Sequence, residues 1–582
     1  MTKRERPELE SRIEQLADRL AEVERRLNAL EGPAPARPVP TPEPRPASVP
    51  AAKQEARSPG AEAIPLFGRT LVVLGGAFAL RAITEAGILN QTTGAALGIA
   101  YAVLWIVLAD RAAGKGLWKS ATFHGLAATV IAYPLLWEAT VRFGFLTPPA
   151  SAVAMTAVTT LAMIVAARRN LRRLAWVVAL IAAGTALALA VGTKMLIVFA
   201  GFLLLLGFAA LWLGYLRDWH DLGWAMAGLV DFCVFGMTAI ALIGNPEQVE
   251  RILRPGSLVV LQLSLVVAYF GAFFYRTLSR SEELTIAEIV QGIAAVLIGL
   301  GGAIAVTQAM ELPGAALGAV SLVTAAGCYA ASFAFIDRRL AKRGSFIFYT
   351  SFALVFALVG FGWLLHGAVL AVAFSVAALL TAWLGASRSR ATLSLHGTVY
   401  AVAAAITSGL VVSSVEALTG SSVGSSGGIT ASGLITLVVL GVCAALPVAT
   451  HGKTWGRFSR APKVVLLATF LLGVGGIAVS LGARLLPAGE GSAADPGALA
   501  TLRTGVLALS ALMLAWIGRW RAMPEASWLV YAVLAAGGLK LLLEDLRAGR
   551  AATLFISLAL YGGALILAPR LARRRKAGKS SG

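Results

Sequence analysis

Ionisable side chains set inside long apolar runs are the residues of this sequence with the clearest capacity for chemistry. An unpaired charge near the centre of a bilayer costs at least about 2.5 kcal/mol, so it is kept only with a partner or a wet cavity. Asp231, near the middle of the run 222–244, is the deepest acid. Glu138 lies in the run 121–143, four residues after Pro134, whose ring frees a backbone carbonyl in any helix that holds it. Glu288 and Gln291 share one helical face, and Arg81 and Glu85, four residues apart, share another. Asp231, Glu138, Arg81, Glu85, Glu288 and Gln291 together form the candidate intramembrane polar site. For Asp231 and Glu138 two readings stand side by side: a buried polar pair or pathway, and a structural hydrogen bond. Arg69, Lys540 and Glu288 are expected to snorkel to an interface, and Arg503 and Lys540 to lie in the outer halves of their spans. The body is expected to contain a polar cavity reached by Asp231 and bordered by the first or third span, where Arg81 and Glu138 are the available partners.

Residue type and spacing argue against most other chemistry. The 5 His (His124, His220, His366, His396, His451) offer no pair at metal-ligand spacing. Asp218, His220 and Asp221 fall close together and read as a solvated loop rather than a metal site. The 3 Cys (Cys233, Cys328, Cys443) stand far apart in apolar segments and supply neither a disulfide framework nor a metal centre. Gly452-Lys453-Thr454 has the ending of a phosphate-binding loop, but Pro447 occupies the place of its first glycine. Gly-rich strings at 299–304 and 473–476 read as close helix contacts. No catalytic, cofactor-binding or metal-binding residue is assigned, no cofactor is expected, and a non-enzymatic role is favoured.

The elements that must position these side chains follow from composition. Of 582 residues 58% are hydrophobic and 14% charged, with a mean hydropathy of +0.77. Soluble domains carry about 25% charged residues, so the expected class is an all-α polytopic membrane protein. From 67 to 569 the chain is a nearly unbroken series of apolar segments of about 20 residues, each able to cross a bilayer as a helix. About 18 spans are expected, among them 67–86, 121–143, 222–244, 284–305, 394–415 and 429–450. No loop in this region exceeds about 15 residues, which leaves no room for a catalytic domain outside the membrane. Chemistry or transport then falls to the helices or to the outer loops at 245–256, 414–428 and 485–497.

The net charge of +20 would suggest nucleic acid in a soluble protein. Here the basic residues collect in alternate gaps between apolar runs, about 22 on one side against about 6 on the other. Lipid orientation explains this better than nucleic acid, and it predicts that both termini are cytoplasmic. Residues 570–582 form a basic tail suited to anionic headgroups.

The segment 1–31 lacks the apolar run of a signal peptide. Its Leu9, Ile13, Leu16, Leu20, Val23, Leu27 and Leu30 alternate in spacings of four and three, which predicts a cytoplasmic coiled coil that self-associates or pairs with a partner helix. A single amphipathic helix is the other reading of the pattern. Residues 32–66, rich in Pro and Ala, predict a disordered linker between this helix and the membrane body.

The Leu/Glu/Arg heptads, the Pro/Ala linker, a first span reading FGRTLVVLGGAFALRAITEAGIL and a third reading FHGLAATVIAYPLLWEATVRFGFLTPPASA resemble the bacterial multi-pass membrane family catalogued as domain of unknown function 2339. The resemblance implies a bacterial inner-membrane protein and supplies neither an activity nor site residues. Three functions fit the sequence. A transporter or flippase for an envelope-related or amphipathic substrate would use the helices and their few intramembrane charges. A membrane scaffold would gather partners through the coiled coil. A transferase acting on a lipid-linked donor is the third, although the stretch 87–92 holds no acid of the kind such enzymes often carry in their first outer loop.

Overall fold

The computed structural model describes residues 86–279, 284–333, 343–388, 391–420, 430–446, 460–486, 495–520, 523–548 and 551–572, with a few positions before 86. The chain divides into two compact units, Met1–Val72 and Val73–Gly582. In the first, positions 19, 21, 22 and 25 are helical, and Arg25 Nη2 lies 3.3 Å from Glu22 Oε2. The heptad residues Leu9, Ile13, Leu16, Leu20, Val23, Leu27 and Leu30, the linker 32–66, Arg69, Glu85 and the tail beyond 572 lie outside the described residues.

Every described element of the second unit is helical. Helices α1 (Gln91–Gly114), α2 (Trp118–Trp137), α3 (Pro148–Arg168), α4 (Arg172–Thr193), α5 (Leu196–Arg217) and α6 (His220–Ile243) follow one another through short turns. A short α7 (Pro246–Ile252) leads to α8 (Pro255–Ser279), then α9 (Ile286–Ala309), α10 (Ala315–Ala330), α11 (Arg343–Leu364) and α12 (Gly367–Ser387). The remainder comprises α13 (Ala391–Thr407), α14 (Leu410–Thr419), α15 (Ala431–Ala445), α16 (Ala461–Ala483), α17 (Pro496–Trp520), α18 (Pro524–Lys540) and α19 (Ala551–Ala572).

Local chemistry sets many of the boundaries. Asn90 Oδ1 accepts from the Thr93 amide at 2.7 Å and starts α1. Thr285 and Glu288 form a capping box at the head of α9. Lys194 and Asp218 end α4 and α5 with φ of 57° and 60°, a left-handed turn that lets each helix reverse into the next. Several helices widen into π-turns, at Glu138–Arg142 after α2, at Ala295–Gly301 within α9 and at Leu541–Asp545 after α18.

Among the described residues 14 helices are long and apolar enough to cross a membrane, or up to 15 if a bent pair counts as one span. The expected span 394–415 is that pair: Thr392–Thr407 and Leu410–Thr419 meet at 65°, where Gly409 takes a φ of +77° that ends α13. The expected span 429–450 is the 15-residue helix α15, short of the roughly 20 residues that a crossing needs and finished at Ala445, two residues before Pro447. Helix α2 is present but is not among the apolar spans, since its first turns carry Lys119, Ser120 and His124. The expected first span, 67–86, is described only in part.

Helix α8 is the central pillar of this unit. Some 61% of its most apolar window is buried, against 17% for the terminal α19. Phe270 meets Phe348, Phe352 and Phe356 of α11 at 5.2 to 6.1 Å, and such pairs add about 0.5–1.5 kcal/mol each beyond burial. Close helix contacts rely on missing side chains: a Cβ on Gly223 would stand 3.2 Å from the Leu211 Cα, so α5 and α6 approach backbone to backbone.

Candidate functional site

Among the described residues, the intramembrane charges that the sequence brought to notice fall into four polar groupings, which differ in how completely their partners satisfy them. The first is a cleft between α1, α2 and the residues before α1. Pro134 removes a donor from the last turns of α2, and the helix then widens, with the Phe143 amide donating to the Glu138 carbonyl at 2.9 Å. This π-turn carries Glu138 and Arg142 side by side. Arg81 Nη1 lies 3.0 Å from Glu138 Oε1 and Arg142 Nη1 lies 3.8 Å from the same oxygen. The three side chains line one end of a cavity of about 570 Å³. Gly94 and Gly98 of α1 and Val130, Ile131 and Leu135 of α2 give it an apolar wall. Part of each ion remains accessible: 35% of Arg81, 19% of Glu138 and 54% of Arg142.

Asp231 belongs elsewhere. Its Oδ2 accepts from Gln291 Nε2 at 2.6 Å across α6 and α9, and its Oδ1 is buried without a hydrogen bond. Neither Arg81 nor Glu138 is its partner, and it is not among the residues lining the cleft. The expectation that Arg81 and Glu138 partner Asp231 is therefore corrected: Gln291 takes that place. Nearby, Gln262 Nε2 donates to Thr238 Oγ1 at 2.7 Å, and a Cβ on Gly302 would stand 2.7 Å from that nitrogen, so α6, α8 and α9 close tightly here.

The third grouping overturns the expected snorkelling of Glu288. Arg276 Nη1 meets Glu288 Oε1 at 2.5 Å with both side chains under 10% exposed. Tyr215 donates to the same oxygen at 2.9 Å, and the Arg276 guanidinium stands over the Tyr215 ring at 5.3 Å. The other carboxylate oxygen accepts from the Thr285 amide at 2.7 Å and its hydroxyl at 2.9 Å. Glu288 is thus a helix cap turned inward, and Gln291 on the same helix serves Asp231 instead.

The fourth lies between α17 and α18 and also replaces an expected snorkel. Lys540 points inward, bonding Asp545 and the Ala500 carbonyl and donating to Thr504 Oγ1 at 2.8 Å. Arg503 donates to the Ala417 carbonyl at 2.7 Å and to Glu544 at 2.5 Å, and Thr504 donates to Asp545 at 2.5 Å. Lys540 and Asp545 have partners in the bundle, which holds them inside where solvent would otherwise draw the ammonium outward.

Sequence reasoning singled out Arg503 and Lys540 but missed Glu544, Asp545, Arg276 and Tyr215. A readable signal existed for two of them: Lys540 and Glu544 stand four apart on one helical face, and Asp545 follows in the same turn. Arg81 and Glu138, each noticed in the sequence but not paired with one another there, are brought together at a cavity. No group of His, Cys, Asp or Glu among the described residues could hold a metal ion. No known protein family, curated protein or solved structure gives a match to this chain.

Proposed function

We propose that this polytopic α-helical membrane protein is a transporter or flippase-like protein for an amphipathic, envelope-related molecule, with the cleft of Arg81, Glu138 and Arg142 as its substrate site. The observation that carries the reading is the junction of an ion triad and an apolar wall in one cavity of about 570 Å³. That size falls within the range of small-molecule sites. A polar head would meet the charged end while an apolar tail follows Val130, Ile131 and Leu135. The π-turn supports it too, because such bulges frequently mark functional positions. The reading includes a bacterial inner-membrane location, both termini in the cytoplasm and membership of family 2339.

The test is translocation in sealed vesicles. Full-length protein should move a fluorescent amphiphile between leaflets faster than protein-free vesicles, and replacing Arg81 and Glu138 with Gln together should abolish the gain. A rate equal to that of protein-free vesicles would overturn the reading.

A scaffold is the second reading. It is favoured by the groupings at Asp231, Glu288 and Lys540, whose polar side chains tie helices to one another. It assigns oligomerisation to the heptad residues Leu9 to Leu30. A transferase acting on a lipid-linked donor ranks third.

A further inference from the structure

Resting on the reading of the cleft as a substrate site, we propose that it takes the anionic headgroup of a membrane lipid, with Glu138 holding the anion position until the headgroup replaces it. Glu138 Oε1 is shared unequally: Arg81 binds it directly at 3.0 Å, whereas Arg142, at 3.8 Å, stands beyond hydrogen-bond reach. Arg142 is the most accessible of the three and rests against the Phe143 ring at 5.5 Å, a contact that fixes the guanidinium without using its donors. A guanidinium is a planar fork that matches carboxylate and phosphate oxygens in the same way, so a headgroup phosphate can exchange with the Glu138 carboxylate.

The rest of the cleft argues for a lipid over a free anion. A soluble phosphate would touch only the charged end. The wall formed by Gly98, Ile131 and Leu135 offers nothing to such an ion and is suited to a hydrocarbon chain. Helix α1 also begins at the cavity with Gln91, and its N-terminal partial charge favours an anion at that end.

The experiment uses full-length protein in phosphatidylcholine nanodiscs doped with labelled phosphatidylglycerol, with inorganic phosphate as competitor. The wild-type chain should prefer phosphatidylglycerol over labelled phosphatidylcholine. Arg142→Gln should weaken that binding by roughly tenfold, corresponding to about 1.4 kcal/mol, while Arg142→Lys retains part of it. Glu138→Gln should tighten it several-fold, because the built-in competitor is gone; a merely structural Glu138 would give no such gain. Equal binding of the two lipids overturns the proposal without recourse to any variant. So does weaker binding by a folded Glu138→Gln protein, or full displacement by millimolar phosphate, which would identify a free-anion site. The two readings fail separately: lipid bound selectively but never translocated removes transport alone, and translocation indifferent to headgroup charge removes the headgroup assignment alone.

Discussion

Arg81 with Glu138 and Arg503 with Glu544 are built from the same parts, an arginine from one helix and a glutamate on a π-turn of another. In the second case the turn also supplies Asp545, and Lys540 joins from the preceding residue, so that two cations and two anions satisfy one another together with two backbone carbonyls. In the first case the third member is Arg142, which stands off at 3.8 Å and leaves the group open to a cavity. An intramembrane ion pair is therefore not itself a functional sign. A pair closed by a second pair locks helices together; a pair completed by a loosely held cation beside a void can bind something.

The largest effect should come from breaking the closed group. Lys540→Met leaves Asp545 buried with Thr504 as its remaining donor partner among the described contacts, and losing one member of a buried pair costs about 3–5 kcal/mol. Thermal unfolding in detergent should show it, and adding Asp545→Leu should recover much of the loss. An unchanged midpoint for the single variant would mean that the group is not a lock.

A smaller loss, about 2 kcal/mol, is expected from Glu288→Gln, which weakens charge-assisted hydrogen bonds while keeping the shape of the side chain. The same unfolding measurement reads it, and a value near zero would return Glu288 to the interface where the sequence put it.

Packing gives a third contrast. A Cβ on Gly476 would stand 2.4 Å from the Ser414 Cα, a backbone atom that cannot turn aside. At Gly98 it would meet Leu135 Cδ2 at 2.5 Å, the far end of a flexible side chain. Gly476→Ala should therefore cost about 1–2 kcal/mol by overpacking, whereas Gly98→Ala should leave stability nearly unchanged and narrow the cleft. Equal costs would make the cleft as rigid as the region around α14 and α16.

The smallest stability effect is expected at Glu138→Gln, below about 1 kcal/mol, because accessible ion pairs contribute little. A loss as large as that of Lys540→Met would make the open triad a lock after all.

Much of the helical body was legible because a bilayer demands long apolar helices, and 14 of the described helices meet that demand. The departures also have sequence causes: Gly409 breaks one expected span and Pro447 follows the end of another. Glu138 could be noticed through Pro134 and its depth. The partners could not. Nothing local in the sequence says that Gln291, on the same helix as Glu288, turns to Asp231 60 residues away, or that Arg276 and Tyr215 converge on Glu288. Those choices belong to the packing of α5, α6, α8 and α9. The snorkelling expectation failed at Lys540 for the same reason: it weighs the cost of burial without knowing which anion waits inside.

The π-turns carry a consequence for inheritance. Each holds one residue more than an α-helical turn in the same place, so the number of codons across it matters to the geometry on either side. Deleting a single codon within 541–545 would let the helix close to α geometry, yet it would swing everything beyond the deletion by about 100° relative to what precedes it. Lys540 and Asp545 could not then face each other as they do, and Arg503 would lose its alignment with Glu544. Changing the length of this turn would therefore disturb more contacts than exchanging Leu541, Leu542 or Leu543 for another apolar residue.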